Sequence, residues 1–197
     1  MFWIAGAIVI WGVAHSWLAS LGVKAFVHRR FGEGVGRVYR IAYNILAVIS
    51  FAPILLLVRI LPDQLLYSVP SPWAYLMLAG QALGVILAVV TLLQTDAASF
   101  AGLRQIVEGD KPPRLVTGSF YRWMRHPLYL FGLIILWLTP WMSFNMLIAY
   151  VSLTVYLLVG AAFEERKLVR EFGTAYEEYK SHTPMILPLP TGQKRHA

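Results

Sequence analysis

From Leu128 to Phe163 the chain runs for 36 residues without a charged side chain. As a single α-helix that run would reach about 54 Å, against about 30 Å for a hydrocarbon core, so it has to turn back on itself. Pro140, followed by Ser143 and Asn145 as candidate caps, marks the turn. It predicts a short helix to about Thr139 and a longer one from about Phe144. Three more apolar runs are each long enough for one crossing: Met1 to about Leu21, about Ile41 to Leu61 with Pro53 inside it, and about Trp73 to Leu93. Nothing basic precedes Lys24, so the first run reads as a retained span and not as a cleaved signal. The expected fold class is all-α: a polytopic membrane protein with five transmembrane helices, a helical hairpin at 128–163 and a C-terminal cytoplasmic helical tail.

Composition agrees with a bilayer as the first partner: 58% of the 197 residues are hydrophobic and 14% charged, with a mean hydropathy of +0.60. There is room for one compact domain of four or five spans and little else. The absence of cysteine excludes disulfides, thiolate metal sites, iron–sulfur ligation and a cysteine nucleophile, which leaves chemistry to His, Glu, Arg and Tyr. The five histidines include no pair at helical ligand spacing, so no metal is expected.

A net charge of +7 would suit nucleic acid only if the basic residues formed one soluble patch. Instead they fall beside apolar runs. Lys24, Arg29, Arg30, Arg37 and Arg40 follow the first span. Arg104, Lys111, Arg114, Arg122 and Arg125 precede the hairpin, and Arg166, Lys167, Arg170, Lys180, Lys194 and Arg195 follow it; only Arg59 stands apart. The Pro62–Pro72 loop and the Pro140 turn hold none. Because Lys and Arg in short loops stay cytoplasmic, the pattern predicts an outside N-terminus and a cytoplasmic C-terminus, with no nucleic-acid partner. Gly80 and Gly84 form one GxxxG, a signature of close helix packing.

Residues 118–132 read Gly-Ser-Phe-Tyr-Arg-Trp-Met-Arg-His-Pro-Leu-Tyr-Leu-Phe-Gly. Pro127 suits a first helical turn, which puts His126 at a helix N-terminus beside Arg122 and Arg125. Such a place favours a bound carboxylate or phosphate, or lipid head groups if it serves only as a basic anchor. The hairpin should bring Glu164 and Glu165 back towards Arg125 and His126, making a pocket with both charge signs that matches a zwitterionic ligand. A short first arm should start below the membrane surface and recess His126. Downstream, Gly173 can end one helix, Thr174 and Glu177 can form a capping box, and Tyr176 and Tyr179 share a face. The apolar run from Met185 to Leu189 folds back as a lid or lies at the interface as an anchor. His15, inside the first span, is either functional or a neutral imidazole bonded to Ser16, Asn44, Gln81 or Gln94. Asp96, just past the third span, reads as a helix-end charge in preference to a cavity residue.

These residues resemble the integral-membrane methyltransferases typified by isoprenylcysteine carboxyl methyltransferase and related to bacterial phospholipid and thiol methyltransferases. The resemblance rests on Arg125-His126-Pro127-x-Tyr129-x-x-Gly132, Glu164-Glu165-x-x-Leu168, Phe172-Gly173-x-x-Tyr176-x-x-Tyr179 and a Pro-rich end, over roughly residues 90–190. The first two spans, with His15-Ser16 and Tyr39-Arg40-x-x-Tyr43-Asn44, look more like methanethiol S-methyltransferases and denitrification-associated membrane proteins. Sterol reductases resemble the same C-terminal half, but their acidic stretch corresponds here to Phe163-Glu164-Glu165-Arg166 and they carry extra spans. The resemblance implies S-adenosyl-L-methionine as cofactor and a small or lipophilic thiol or carboxylate acceptor. It implies a three-span scaffold and acceptor half at 1–93, and a hairpin-plus-tail cofactor pocket at 94–197. Arg125, Glu165 and His15 are then the candidate catalytic residues. Gly118, Tyr121, Arg125, His126, Tyr129, Glu164, Glu165, Tyr179, Leu187 and Pro188 are the candidate cofactor contacts.

Overall fold

The computed structural model describes residues 2–95 and 114–187. Asp96, Arg104, Lys111 and Pro188 lie outside them. The elements are α1 (Phe2–Ala19), α2 (Leu21–Ile60), β1 (Leu65–Ser68), α3 (Trp73–Gln94), a 3-10 turn (Ser119–Arg122), α4 (Pro127–Trp137), β2 (Trp141–Ser143), α5 (Phe144–Phe172) and α6 (Thr174–His182). Four helices are long and apolar enough to cross a membrane: α1, the Val38–Ile60 part of α2, α3 and α5. α4 is a shorter apolar helix of 11 residues. Large apolar side chains on these helices face outward, with Ile10 73% and Val48 75% exposed, a surface that suits a lipid surround. The protein is therefore an all-α polytopic membrane protein.

The described residues gather into two compact units. The first comprises residues 2–68 and 141–156. The basic stretch after the first span, read from sequence as a loop, is helical: α2 begins at Leu21, where the Ser20 hydroxyl accepts from Val23 N at 3.4 Å, and is broken at Gly32 (φ 81). A left-handed φ is open to glycine, so the change of direction falls there. Ile4 and Ile8 of α1, Ile54 of α2 and Ala149 of α5 form the buried core. The turn-rich loop before α3 contains β1, which pairs antiparallel with β2 through Leu65 and Ser143, Tyr67 and Met142, and Ser68 and Trp141. Seven residues of strand are too few for a period-2 signal to register. Ser143 does cap α5, its Oγ accepting from Met146 N at 3.3 Å. Asn145 instead donates through Nδ2 to the carbonyls of Leu61 and Pro62.

The second unit comprises residues 69–95, 114–140 and 157–187. Here α3 packs against α4, and the GxxxG pair makes it possible. A Cβ on Gly84 would lie 3.1 Å from Ile135 and 3.2 Å from Ile134, and one on Gly80 would meet Leu138 at 2.5 Å. Gln81 Nε2 seals the contact, donating to Ile135 O at 2.6 Å and to Thr139 Oγ1 at 3.2 Å. The expected capping box at the start of α6 is not made. Gly173 (φ 56, ψ −133) is the N-cap and Thr174 is already the first helical residue, with no side-chain cap bond. That backbone conformation suits a residue without Cβ, so the boundary falls one residue earlier than the Ser/Thr pattern suggests.

Candidate functional site

The polar cluster sits in the second unit, where α4 begins and α5 runs out. Pro127 opens α4 and His126 is its N-cap, with His126 O accepting from Tyr129 N and Leu130 N. From the other arm, Glu164 and Glu165 meet this corner. Arg125 Nε donates to Glu165 Oε1 at 2.6 Å, with both side chains more than nine-tenths buried. Lys180 Nζ lies 3.0 Å from the other oxygen of the same carboxylate. Arg125 Nη1 donates to the backbone carbonyls of Lys180 and Thr183. The anion beside Arg125 is thus the chain's own Glu165, flanked by two cations.

Further bonds draw the tail in. Arg125 N donates to Pro184 O at 2.9 Å and His126 N to Met185 O at 3.0 Å, while Tyr179 Oη donates to Tyr121 O at 2.6 Å. The His126 ring stacks on Tyr129 at 5.1 Å, and Tyr129 Oη donates to Glu164 Oε2 at 2.7 Å. His126 Nε2 is 3.4 Å from Glu165 Oε1 without making a directed hydrogen bond. Tyr176 Oη is likewise buried without a hydrogen-bond partner. Glu164, at 47% side-chain exposure, is the outer carboxylate of the pair.

Electrostatics follow burial. Desolvation pushes the His126 imidazole below its ordinary value, prevailing over the upward pull of Glu164 and Glu165, so the ring is neutral at pH 7. Burial, then the Glu164 charge, raises the Tyr121 phenol to about 12; burial, then Glu165, raises Tyr176 to about 12. Tyr179 is raised too, first by burial. All are proton-bearing donors.

Beside the cluster, a cavity of about 730 Å³ is lined wholly by apolar or small residues, among them Gly84, Leu130, Ile134, Ile186 and Leu187. Of the apolar run expected as lid or anchor, Ile186 and Leu187 line this cavity together with residues of α3 and α4. The structure thus joins Arg125, His126, Tyr129, Glu164 and Glu165 in one cluster. Tyr121 and Tyr179 sit beside it, and Leu187 on the apolar wall. Gly118 is the extended N-cap of the 3-10 turn, followed by Ser119 at φ 56. His15 belongs to the first unit, where Tyr43, a residue not among those expected, is its hydrogen-bonding partner. Sequence reasoning missed Lys180 and Thr183 as members. Lys180 stands at i+4 from Tyr176 and so shares its face, the one signal available.

A helical membrane protein with a buried acid–base cluster at the foot of a folded-back helix pair is the class these features define. The family described as NnrU protein matches residues 3–191, and the chain belongs to it. It is 33% identical over 127 residues to methanethiol S-methyltransferase 2 of Bradyrhizobium diazoefficiens, covering 62% of this chain and 49% of that protein. It is 32% identical over 129 residues to the methanethiol S-methyltransferase of Crocosphaera subtropica, covering 59% and 51%. The same-named protein of Pseudomonas deceptionensis is 36% identical over 92 residues, covering 44% and 35%. The chain spans about half the length of the first two of these relatives. No solved structure matches it significantly.

Proposed function

We propose that this protein is a membrane methyltransferase that uses S-adenosyl-L-methionine to methylate a small thiol. The observation that carries the reading is the meeting of Glu164 and Glu165 with Arg125, His126 and Tyr129 at one corner, beside an apolar cavity. The names of the relatives point the same way.

The residues fit such a cofactor. Two buried polar atoms, His126 Nε2 and Tyr176 Oη, retain hydrogen-bonding capacity, and the half-exposed Glu164 carboxylate has lone pairs beyond the one Tyr129 uses. In this reading Glu164 meets the positive end of the ligand, His126 and Tyr176 offer polar contacts, and Ile186 and Leu187 cover the adenine. Gly118 and Tyr121 flank the entrance. Arg125 and Glu165 act by fixing the corner and the tail: both are engaged with each other, and Lys180 and Thr183 complete the clasp. The cofactor, when bound, supplies an electrophilic methyl group on a sulfonium. In-line displacement by a thiolate asks the protein to position and to exclude water, with no obligatory acid–base group. The clasp and the apolar wall do both.

In this reading the corner faces the cytoplasm from a bacterial inner membrane, with the N-terminus outside, and the distribution of the basic stretches supports that sidedness. The test is an assay of purified protein with radiolabelled S-adenosylmethionine and methanethiol. The expected product is labelled, volatile dimethyl sulfide. Failure of any thiol in a panel to accept label, together with no calorimetric binding of S-adenosylmethionine, would overturn the reading; binding of NADPH instead would point to reduction.

A further inference from the structure

The first unit holds a second cavity, of about 470 Å³, walled by α1 and α2. Its lining differs from that of the first cavity. Ala7, Ala14 and Ala47 leave room, while His15, Tyr43 and Ser50 put polar atoms into an otherwise hydrocarbon surface. His15 is held from several directions. Its ring stacks on Trp11 with centroids 4.7 Å apart and planes 16° from parallel, and Tyr43 and Tyr156 lie against it at 4.8 and 6.3 Å. Gly12 admits Tyr156: a Cβ there would fall 2.8 Å from the Tyr156 ring. Trp11 in turn is fixed by donating its indole N–H to Ser50 Oγ at 3.0 Å.

A single hydroxyl serves both nitrogens of this imidazole. Tyr43 Oη lies 2.5 Å from His15 Nε2 and 3.1 Å from Nδ1, and no other hydrogen-bonding partner approaches either ring nitrogen among the described residues. One phenol hydroxyl can make one good bond to the ring, so one nitrogen is left over. In hydrocarbon a polar atom without its own hydrogen-bond partner is costly, and a ligand hydrogen bond can offset that cost. A charged ligand head would face the high cost of charge inside a span. The aromatic rings pack against one another, and the space beside them is mostly apolar.

We infer that this cavity is a binding site for a neutral amphiphile with a single thiol or hydroxyl head and a hydrocarbon body, the head bonding to the His15–Tyr43 pair and the body lying along Ala7, Ala14 and Ala47. The site is assigned from binding chemistry alone and does not depend on methyl transfer. Protein reconstituted in lipid nanodiscs is photolabelled with an aliphatic diazirine carrying a terminal hydroxyl, and the labelled peptides are mapped. Label is expected on α1 and α2 residues lining the cavity. Decanethiol and decanol should compete at least tenfold better than decane. His15→Phe and Tyr43→Phe should abolish that preference, and Ala14→Leu should remove the label by filling the space. A Val48→Ala variant, on the exposed face of α2 and outside the cavity lining, should retain the preference and serves as the folding control. Label spread evenly over all lipid-facing helices, or decane competing as well as decanol, would overturn the inference.

Discussion

Glu165 is the most heavily engaged side chain of the candidate site, with Arg125 on one oxygen and Lys180 on the other. Removing one partner of a buried pair leaves an uncompensated charge and costs about 3–5 kcal/mol by general experience. Arg125→Ala should therefore lower the melting temperature in detergent far more than Arg122→Ala, whose guanidinium lies over the exposed Trp123 ring. For the ligand, Glu165→Gln and His126→Ala should each weaken S-adenosylmethionine binding by calorimetry about tenfold or more, whereas His15→Ala leaves it unchanged. Equal losses from all three would contradict the assigned roles. His126 also sets a pH dependence. Its folded value lies below the ordinary 6.5, so the unfolded chain takes up the proton first and protonation favours unfolding. Its contribution to stability is whole above about 6.5 and is lost as pH falls from there through the folded value. Thermal scans from pH 7.5 to 5 should show a decline that His126→Asn flattens.

Among elements, the contact between α3 and α4 depends on two glycines that a length-and-hydropathy reading treats as incidental. Gly84 faces the branched side chains of Ile134 and Ile135 with Phe131 O behind them, so a larger residue there meets groups with little room to yield. Gly84→Leu should destabilise the protein by about 1–3 kcal/mol, read as a lower melting temperature. Gly22→Leu, where the space is open, should not. Gly84→Leu should also close part of the apolar cavity that Gly84 lines. The tail is an element of the same kind. α6 and the residues to Leu187 are tied to the start of α4 mainly through backbone carbonyls of Lys180, Thr183, Pro184 and Met185, atoms every residue possesses. That is why no sequence pattern announced the clasp.

At the scale of the whole molecule, sidedness can be tested in a background without native cysteine. Single Ser71→Cys and Ser181→Cys variants in intact cells should react oppositely with an impermeant maleimide: Cys at 71 labelled from outside, Cys at 181 labelled only after permeabilisation. Labelling of both from one side would invert or break the assigned topology. The helices, the fold-back after α4 and the start of α5 at Phe144 were legible in the chain, because apolar run length against bilayer thickness is a one-dimensional constraint. So was the meeting of Arg125 and His126 with the Glu pair, since a hairpin must bring its ends together. The helical form of residues 21–40 was not, nor were β1 and β2, the Gly173 cap, the Tyr43 partner of His15, or Lys180 and Thr183. Each of those depends on which surfaces pack, a matter settled by shape and by backbone groups seeking partners in three dimensions. Sequence alone determined that the chain is built from apolar helices of membrane length and which charges a fold-back brings to one end; only the tertiary structure decided which of those charges touch, because contact distances depend on packing that periodicity does not encode.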